Sequence, residues 1–171
     1  MKLDLRWPLG VVIAWMFLVT ATQTAYSAGG LTDLEGNRVH FSDYVPADQW
    51  LVVMIWSWSC PICAQEMAGQ AQLHDRQQGG RLTVLGISMD GPEGIMEAWA
   101  FAEEHGARFP NLIGDGPDVA QFFHEQTGQS LQGTPTFLVY APGGRLKAVQ
   151  AGAVPPERIE AFIAGQEGAG G

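Results

Sequence analysis

The feature that most constrains the fold of this chain is an apolar segment that leads directly into two closely spaced cysteines. Residues 51–56 form an uninterrupted apolar run rich in β-branched side chains, which is typical of a strand buried on both faces. Cys60 and Cys63 follow, and Pro61 between them occupies a first-turn position where a helix tolerates proline. Because a strand buried on both faces needs helices on each side, this segment predicts an α/β domain.

The remaining patterns alternate between strands and helices. Residues 31–41 contain two short extended pieces around a Glu-Gly-Asn turn and predict a hairpin. Further strands are predicted at 82–88, 136–140 and 146–150, and helices after Cys60 and at 92–105, 118–126 and 156–164. Four aromatic side chains are expected in the core, namely Trp99, Phe101, Phe122 and Phe123. The predicted architecture is a central sheet flanked by helices, which ends in an antiparallel hairpin and a helix.

Residues 1–28 differ in character from the rest of the chain. Lys2 and Arg6 precede an apolar run of 11 residues, and the small residues Ala25 and Ser27 stand where a signal peptidase cleaves. This pattern predicts a secretory signal peptide. An N-terminal membrane anchor over residues 7–28 is the alternative, although the apolar run is shorter than the roughly 20 residues that a span needs. Residues 29–171 are predicted to form one exported domain, in a compartment where disulfides persist and exchange.

The charge and the cysteine content exclude several classes of protein. The chain of 171 residues has 9 basic and 18 acidic residues, a net charge of −9, and no basic run. It therefore lacks the electrostatic pattern of a nucleic-acid-binding protein. Two cysteines are too few for a disulfide-stapled scaffold or for a zinc site made of four cysteines.

Three interpretations of the cysteine pair follow from its position. The cysteines could be inert core residues, but a Cys-x-x-Cys spacing at a strand-to-helix junction is unusual for such residues. They could form half of a zinc site, but no two of the four histidines have the spacing of a zinc finger, these being His40, His74, His105 and His124. The third interpretation is a redox-active dithiol, and the strand-to-helix context favours it.

The chemistry of disulfide exchange accounts for the spacing of the two cysteines. Residues three apart lie on one face of a helix, so the two sulfurs can close a small ring. Cys60 is placed at the helix start, where unpaired N–H groups and the helix dipole favour a thiolate, the attacking species. Cys63 lies one turn deeper and is predicted to resolve the mixed disulfide. Pro61 and Ile62 bring no charge and no polar side-chain donor, which favours a moderately reducing couple.

These residues also carry a resemblance to a known family. The segment Trp-Ser-Trp-Ser-Cys-Pro-Ile-Cys-Ala-Gln-Glu-Met at 56–67 resembles the active-site segment of the thioredoxin superfamily, and is most similar to the TlpA/ResA group of exported thiol–disulfide oxidoreductases. The likeness covers residues 31–164 and includes a Gly-Thr-Pro-Thr-Phe segment at 133–137 that resembles the cis-proline loop. It implies a thioredoxin-like fold with an N-terminal hairpin and an inserted αβ unit that ends near Phe109-Pro110.

The resemblance implies further site residues. Pro135 is expected to have a cis bond beside the cysteines and to expose the backbone of Thr134 to an incoming peptide, as in strand addition. Pro61, Ile62 and Trp58 are candidates for substrate contact, with simple packing as the alternative for Trp58. Glu66 matches a glutamate near the cysteines of ResA-like proteins and is a candidate base for Cys63, with a helix-dipole role as the alternative.

Two positions depart from the thioredoxin pattern. Ser59 stands where thioredoxins usually have tryptophan, and Met54 stands where thioredoxin has its buried strand carboxylate. Because that carboxylate is missing, attention falls on Glu66 as the candidate base for Cys63.

The predicted function is that of a periplasmic thiol–disulfide oxidoreductase that reduces protein disulfides, for example during cytochrome c or copper-site maturation. Its only redox group would be the Cys60–Cys63 disulfide, with no metal, and its electrons would come from a thiol-reducing membrane donor. A disulfide oxidase or isomerase is the alternative within this class. A copper chaperone that uses Cys60, Cys63 and a His or a Met such as Met89 is the alternative outside it. A peroxidase is disfavoured, because the residues before Cys60 lack the Pro and Thr of the peroxiredoxin pattern.

Overall fold

The computed structural model describes residues 30–168, and these contribute to one six-stranded mixed sheet. The strands are β1 (Thr32–Asp33), β2 (Trp50–Trp56), β3 (Leu82–Ser88), β4 (Asn111–Ile113), β5 (Thr136–Ala141) and β6 (Arg145–Ala151), and their order in the sheet is β1-β4-β3-β2-β5-β6. The helices are α1 (Pro61–Arg76), α2 (Ile95–Glu104), α3 (Gly116–Thr127) and α4 (Pro156–Gly168). The predicted α/β class and central mixed sheet are confirmed.

Strand β2 lies at the centre of the sheet and directs the cysteines to one of its edges. It pairs in parallel with β3 and antiparallel with β5, and all seven of its residues are buried. Alternate side chains enter two different cores. One core contains Val52, Met54 and Trp56 and is covered by α1, α2 and α4, and the other contains Val53 and Ile55 and is covered by α3. Burial on both faces explains why this strand has no polar alternation.

Helix α2 and strand β4 form the αβ unit that the resemblance implies between β3 and α3. Strand β4 pairs in parallel with β3, so α2 is the crossover of a β-α-β unit. The N-terminal hairpin is reduced to β1 and a single bridge between Thr32 and Arg38, closed by a turn at Gly36 with a φ of 86°. Strand β1 then pairs antiparallel with β4 at the edge of the sheet.

The prediction that Trp99 lies in the core is wrong. Its side chain is 50% exposed, whereas Ala98, Phe101 and Ala102 form the buried face of α2. Trp99 follows Ala98 by one position, which rotates it about 100° around the helix and away from the sheet. Phe101 takes the inward place and stacks on Trp56 with ring centroids 5.2 Å apart.

Two other predictions concern the ends of the chain. The last helix, expected to end at 164, continues to Gly168. The signal peptide or anchor at residues 1–28 lies outside the described residues. Among residues 30–168, no helix combines the length and the apolar character needed to cross a bilayer.

Candidate active site

Cys60 caps the N-terminus of α1. Its backbone is extended, with φ −90° and ψ 111°, and its sulfur accepts a hydrogen bond from the Cys63 backbone N–H at 3.2 Å. Pro61 occupies the first helical turn, where no backbone donor is needed. The sulfur therefore takes the position that an Asp or Ser side chain usually takes at a helix start.

The surroundings of Cys60 favour its thiolate. Burial raises the pKa of this partly buried thiol, but hydrogen bonds from Cys63, the Thr134 side chain and the Ile62 backbone outweigh that effect and lower the pKa below its ordinary value. The protonated sulfur also lies 3.4 Å from the Thr134 carbonyl oxygen, to which it can donate. That contact favours the thiol, but the donors that face the sulfur prevail.

Cys63 has the opposite electrostatic environment. Its side chain is completely buried, and burial, followed by the hydrogen bond with Cys60, raises the pKa of its thiol to about 12. A backbone hydrogen bond involving Ser57 acts in the opposite direction and offsets part of this rise. The two thiols thus differ as an attacking and a resolving cysteine require.

The loop before β5 brings the residue before Pro135, Thr134, next to Cys60. The Thr134–Pro135 peptide bond is cis, as the resemblance implies, and Pro135 is buried. The loop is anchored on both sides of this bond. Thr136 Oγ1 donates to the Gly133 carbonyl at 2.7 Å, and the Gly152 N–H donates to the Pro135 carbonyl at 2.8 Å. The Thr134 carbonyl is thereby held within reach of Cys60.

Glu66 lies in α1 one turn beyond Cys63, and its hydrogen bond is made to another part of the chain. Its Oε2 accepts from the Val154 backbone N–H at 3.1 Å, and Gln70 Nε2, one helical turn further on, donates to the Val154 carbonyl at 3.0 Å. The two side chains together hold both backbone groups of Val154. None of the hydrogen bonds within residues 30–168 joins Glu66 to either sulfur, so its role as a base stays a prediction.

Of the predicted substrate-contact residues, Trp58 and Ile62 are the most accessible large ones. Each is 45% exposed, and Pro61 between the cysteines is also exposed. Trp56, two residues before Trp58, is entirely buried. The structure therefore assigns Trp58 to the surface beside Cys60 and Trp56 to the core.

Asp90 is the residue of this site that sequence reasoning missed. Its carboxylate accepts from the Ser57 hydroxyl at 2.5 Å, the Ser88 hydroxyl at 2.6 Å and the Trp58 backbone N–H at 3.0 Å. Because a carboxylate oxygen only accepts, Ser57 donates to Asp90, and the Ser59 hydroxyl, 3.0 Å from that of Ser57, must in turn donate to Ser57.

This network fixes the loop that carries the cysteines. The Ser57 carbonyl accepts from the Cys60 backbone N–H at 3.1 Å, so the Asp90 carboxylate holds a residue that contacts the cysteine pair directly. The sequence does contain a signal for it. Trp56 and Ser88 are paired at the ends of the parallel strands β2 and β3, and the residues that follow two such ends meet at one edge of the sheet.

Three of the four histidines considered as metal ligands have other contacts. His74 Nδ1 is 3.4 Å from the Val84 backbone N–H, His105 Nδ1 is 2.9 Å from the Phe101 carbonyl, and His124 Nδ1 is 3.2 Å from the Gln129 carbonyl. Within the described part of the chain, no group of three or more His, Cys, Asp or Glu side chains could share an ion.

Comparison with known proteins links this site to a family. A sequence model of the AhpC/TSA family matches residues 23–149, about three quarters of the chain. Among curated proteins, none matches the sequence.

Several solved structures resemble this one. A secreted disulfide oxidoreductase of Mycobacterium tuberculosis, homologous to E. coli DsbE, is 17% identical with a TM-score of 0.61, covering 78% of this chain and 92% of its own. A thioredoxin-family thiol:disulfide interchange protein of Chlorobium tepidum is 16% identical with a TM-score of 0.64 and coverage of 78% and 88%. A DsbF homologue of Corynebacterium diphtheriae is 23% identical with a TM-score of 0.64 and coverage of 81% and 85%. These likenesses confirm the predicted thioredoxin-like fold.

Proposed function

We propose that this chain, which belongs to the AhpC/TSA family, is an exported thiol–disulfide oxidoreductase that reduces disulfides of other proteins. It places two cysteines at a helix start, one with a lowered and one with a raised thiol pKa. The observation that carries the proposal is the pairing of Cys60, whose thiol pKa is lowered, with Cys63, whose thiol pKa is raised to about 12. Such a pair supports one attack and one resolving step without a further cofactor.

The proposed reaction has two exchange steps. The Cys60 thiolate attacks one sulfur of a client disulfide, a mixed disulfide forms, and the other client sulfur leaves and takes up a proton. Cys63 then loses its proton and attacks the Cys60 sulfur, which releases the second client thiol. Two electrons and two protons pass to the client, and the protein keeps a Cys60–Cys63 disulfide.

Several residues are proposed to assist these steps. The backbone beside the cis bond at Pro135 would pair with the client peptide next to Cys60, and Trp58, Pro61 and Ile62 would contact it. Glu66 would accept the proton of Cys63, directly or through a water molecule. The buried thiol needs this help because its own ionisation at neutral pH is negligible.

The reducing direction and the location rest on the sequence. Pro61 and Ile62 add no charge or polar side-chain donor that would stabilise the reduced form, which favours a reductant over a strong oxidant.

Residues 1–28 have the pattern of a secretory signal, and one of the similar structures is described as secreted. We therefore place the protein in the periplasm, either free after cleavage or anchored through residues 7–28, with a membrane thiol donor as its source of electrons. Cytochrome c or copper-site proteins are the clients proposed by resemblance.

A single-turnover experiment tests this function. Reduced protein is mixed with a disulfide-bonded protein such as insulin in buffer that contains a chelator. Wild type is expected to reduce the disulfide, Cys60→Ser to be inactive, and Cys63→Ser to accumulate a mixed disulfide with the substrate. If wild type fails to reduce the substrate and carries stoichiometric copper when isolated, the copper chaperone replaces this proposal.

A further inference from the structure

The large hydrophobic side chains exposed within residues 30–168 are concentrated on two segments. They are Trp58 and Ile62, each 45% exposed, and Met96 and Trp99, 68% and 50% exposed. The first two flank the cysteines, and the other two lie one turn apart on the outer face of α2. Clustered exposed apolar side chains of this kind are typical of a site where another molecule binds.

The two segments adjoin each other. Gly94, immediately before α2, lies so close to the Trp58 loop that a Cβ placed on it would be 3.7 Å from the Trp58 indole nitrogen and 3.0 Å from Asp90 Cβ. Asp90 in turn binds the Trp58 backbone N–H. We call the apolar surface formed by Trp58, Met96 and Trp99 the α2 surface. It begins beside Cys60 and extends along the helix.

The α2 surface continues into a groove at its far end. Trp99 lines a cavity of about 430 Å³ between the second half of α2 and the turn after β1. The lining includes the apolar side chains of Leu34 and Phe109. It also includes three acidic side chains, those of Asp33, Glu35 and Glu103, and one basic side chain, that of Arg108. A segment of a partner that lies across α2 therefore has space for a side chain beyond Trp99.

The charged side chains of α2 and of the segment immediately before it are all acidic, although Arg108 lines the groove beyond Trp99. Glu93, Glu97, Glu103 and Glu104 are exposed on α2 or immediately before it. No Lys or Arg occurs between Arg38 and Arg76 or between Arg81 and Arg108, so the cysteine segment and α2 contain none. Two copies of this acidic face would repel each other. The face would also repel an anionic lipid surface, whereas it would attract a cationic segment.

We propose that the α2 surface is a docking site for client proteins whose reducible disulfide is followed or preceded by an apolar segment carrying Lys or Arg residues. The proposal rests on the proposed function, because the docked protein is the one whose disulfide Cys60 attacks. Apolar burial on Met96 and Trp99 supplies affinity, and the glutamates around them select the charge of the segment and accelerate encounter. Docking on α2 holds the client disulfide beside Cys60 while Cys63 resolves it.

The test uses two synthetic cyclic peptides, each closed by one disulfide, with tails of alternating Leu and Lys or of alternating Leu and Glu. Reduced protein reduces each peptide, and separately the small disulfide 5,5′-dithiobis(2-nitrobenzoate), in single turnover. The quantity compared is the ratio of the peptide rate to the small-disulfide rate. This ratio separates docking from the chemistry of the cysteines, because loss of both rates would refute the proposed function rather than the docking site.

Three variants test the inference. Met96→Gln and Trp99→Gln remove apolar surface from exposed helix positions and are expected to lower the ratio for the Lys peptide about five- to ten-fold. Glu97→Lys is expected to lower it to a similar extent for the Lys peptide and to raise it for the Glu peptide. Glu157→Lys is the matched control, because Glu157 is also exposed in the first turn of a helix, and its ratios should equal those of wild type.

Added salt provides a second readout. In wild type the preference for the Lys peptide should shrink as the salt concentration rises from about 20 to about 500 mM, because salt screens the attraction between exposed charges. Equal ratios in wild type and the three variants of the α2 surface, or no preference of wild type for the Lys peptide, would overturn the proposal. A wild-type dimer in sedimentation that Trp99→Gln abolishes would assign the surface to a second copy instead.

Discussion

Replacing Glu66 by glutamine separates the two tasks that are assigned to its carboxylate. Oε2 holds the Val154 backbone N–H at 3.1 Å, and glutamine keeps an acceptor at that place. The proposed second task is to take the Cys63 proton, which glutamine cannot do. The variant is therefore expected to retain the fold and to lose part of the resolving rate.

The expected loss follows from the burial of Cys63. With a pKa of about 12, its thiol is ionised to only about one part in 10⁵ at pH 7, against about one part in 30 for an ordinary thiol. General bases typically contribute about 10²–10⁴ in rate. We predict that Glu66→Gln slows resolution about ten-fold or more at pH 7. Because the Cys63 pKa is raised, unaided thiolate increases about ten-fold per pH unit up to about 12, so the deficit should shrink at alkaline pH.

The assay starts from a preformed mixed disulfide between Cys60 and a chromogenic thiol and follows release of that thiol from pH 6 to 10. Unfolding by denaturant should be nearly unchanged, since Glu and Gln have similar helix propensities and a dipole contribution is only about 0.3–1 kcal/mol. Glu66→Ala, which also loses the Val154 contact, is the comparison variant. A Glu66→Gln profile that matches wild type would remove Glu66 as a base, and slow resolution in Glu66→Ala alone would assign it a positioning role through Val154.

Two further predictions concern the cysteines and the loop before them. Cys60 should react with an alkylating reagent near neutral pH and Cys63 should not, as mass spectrometry of the reduced protein will show; prior labelling of Cys63 would reverse the assigned roles. Asp90→Asn and Ser57→Ala should each slow alkylation of Cys60 at pH 7 about three-fold or more, because both loosen the loop that positions it. Glu93→Gln removes an exposed carboxylate outside the network; because loss of a negative charge alone would favour the Cys60 thiolate and speed alkylation, equal slowing in Glu93→Gln would contradict the positioning role of Asp90.

The parts of the fold that were predicted well depend on local patterns. Strand β2 was identified because burial on both faces leaves a continuous apolar run, and the start of α1 because Pro61 follows the N-cap Cys60 directly. The cis bond at Pro135 was predicted from a resemblance in neighbouring residues. In each case the informative residues are adjacent in sequence.

The errors and omissions arise from contacts between distant segments. Ile95, Trp99 and Ala102 form as good a helical stripe as Ala98, Phe101 and Ala102. The buried face is the second stripe, in which Phe101 stacks on Trp56 of a distant strand. Asp90 binds Ser57, 33 residues away, and Glu66 binds Val154, 88 residues away. Periodicity within one element carries no information on such pairs.

The central claim is that the Cys60–Cys63 pair acts as a reductant of protein disulfides, and its redox equilibrium against glutathione buffers tests this most directly. The fraction of protein in the disulfide form is measured by alkylation and mass spectrometry as the ratio of reduced to oxidised glutathione is varied. A potential near the glutathione couple or below it, at about −200 mV or lower, is expected of a reductant. A potential near about −120 mV, where strong periplasmic oxidants lie, would contradict the claim and identify the protein as a disulfide-forming enzyme.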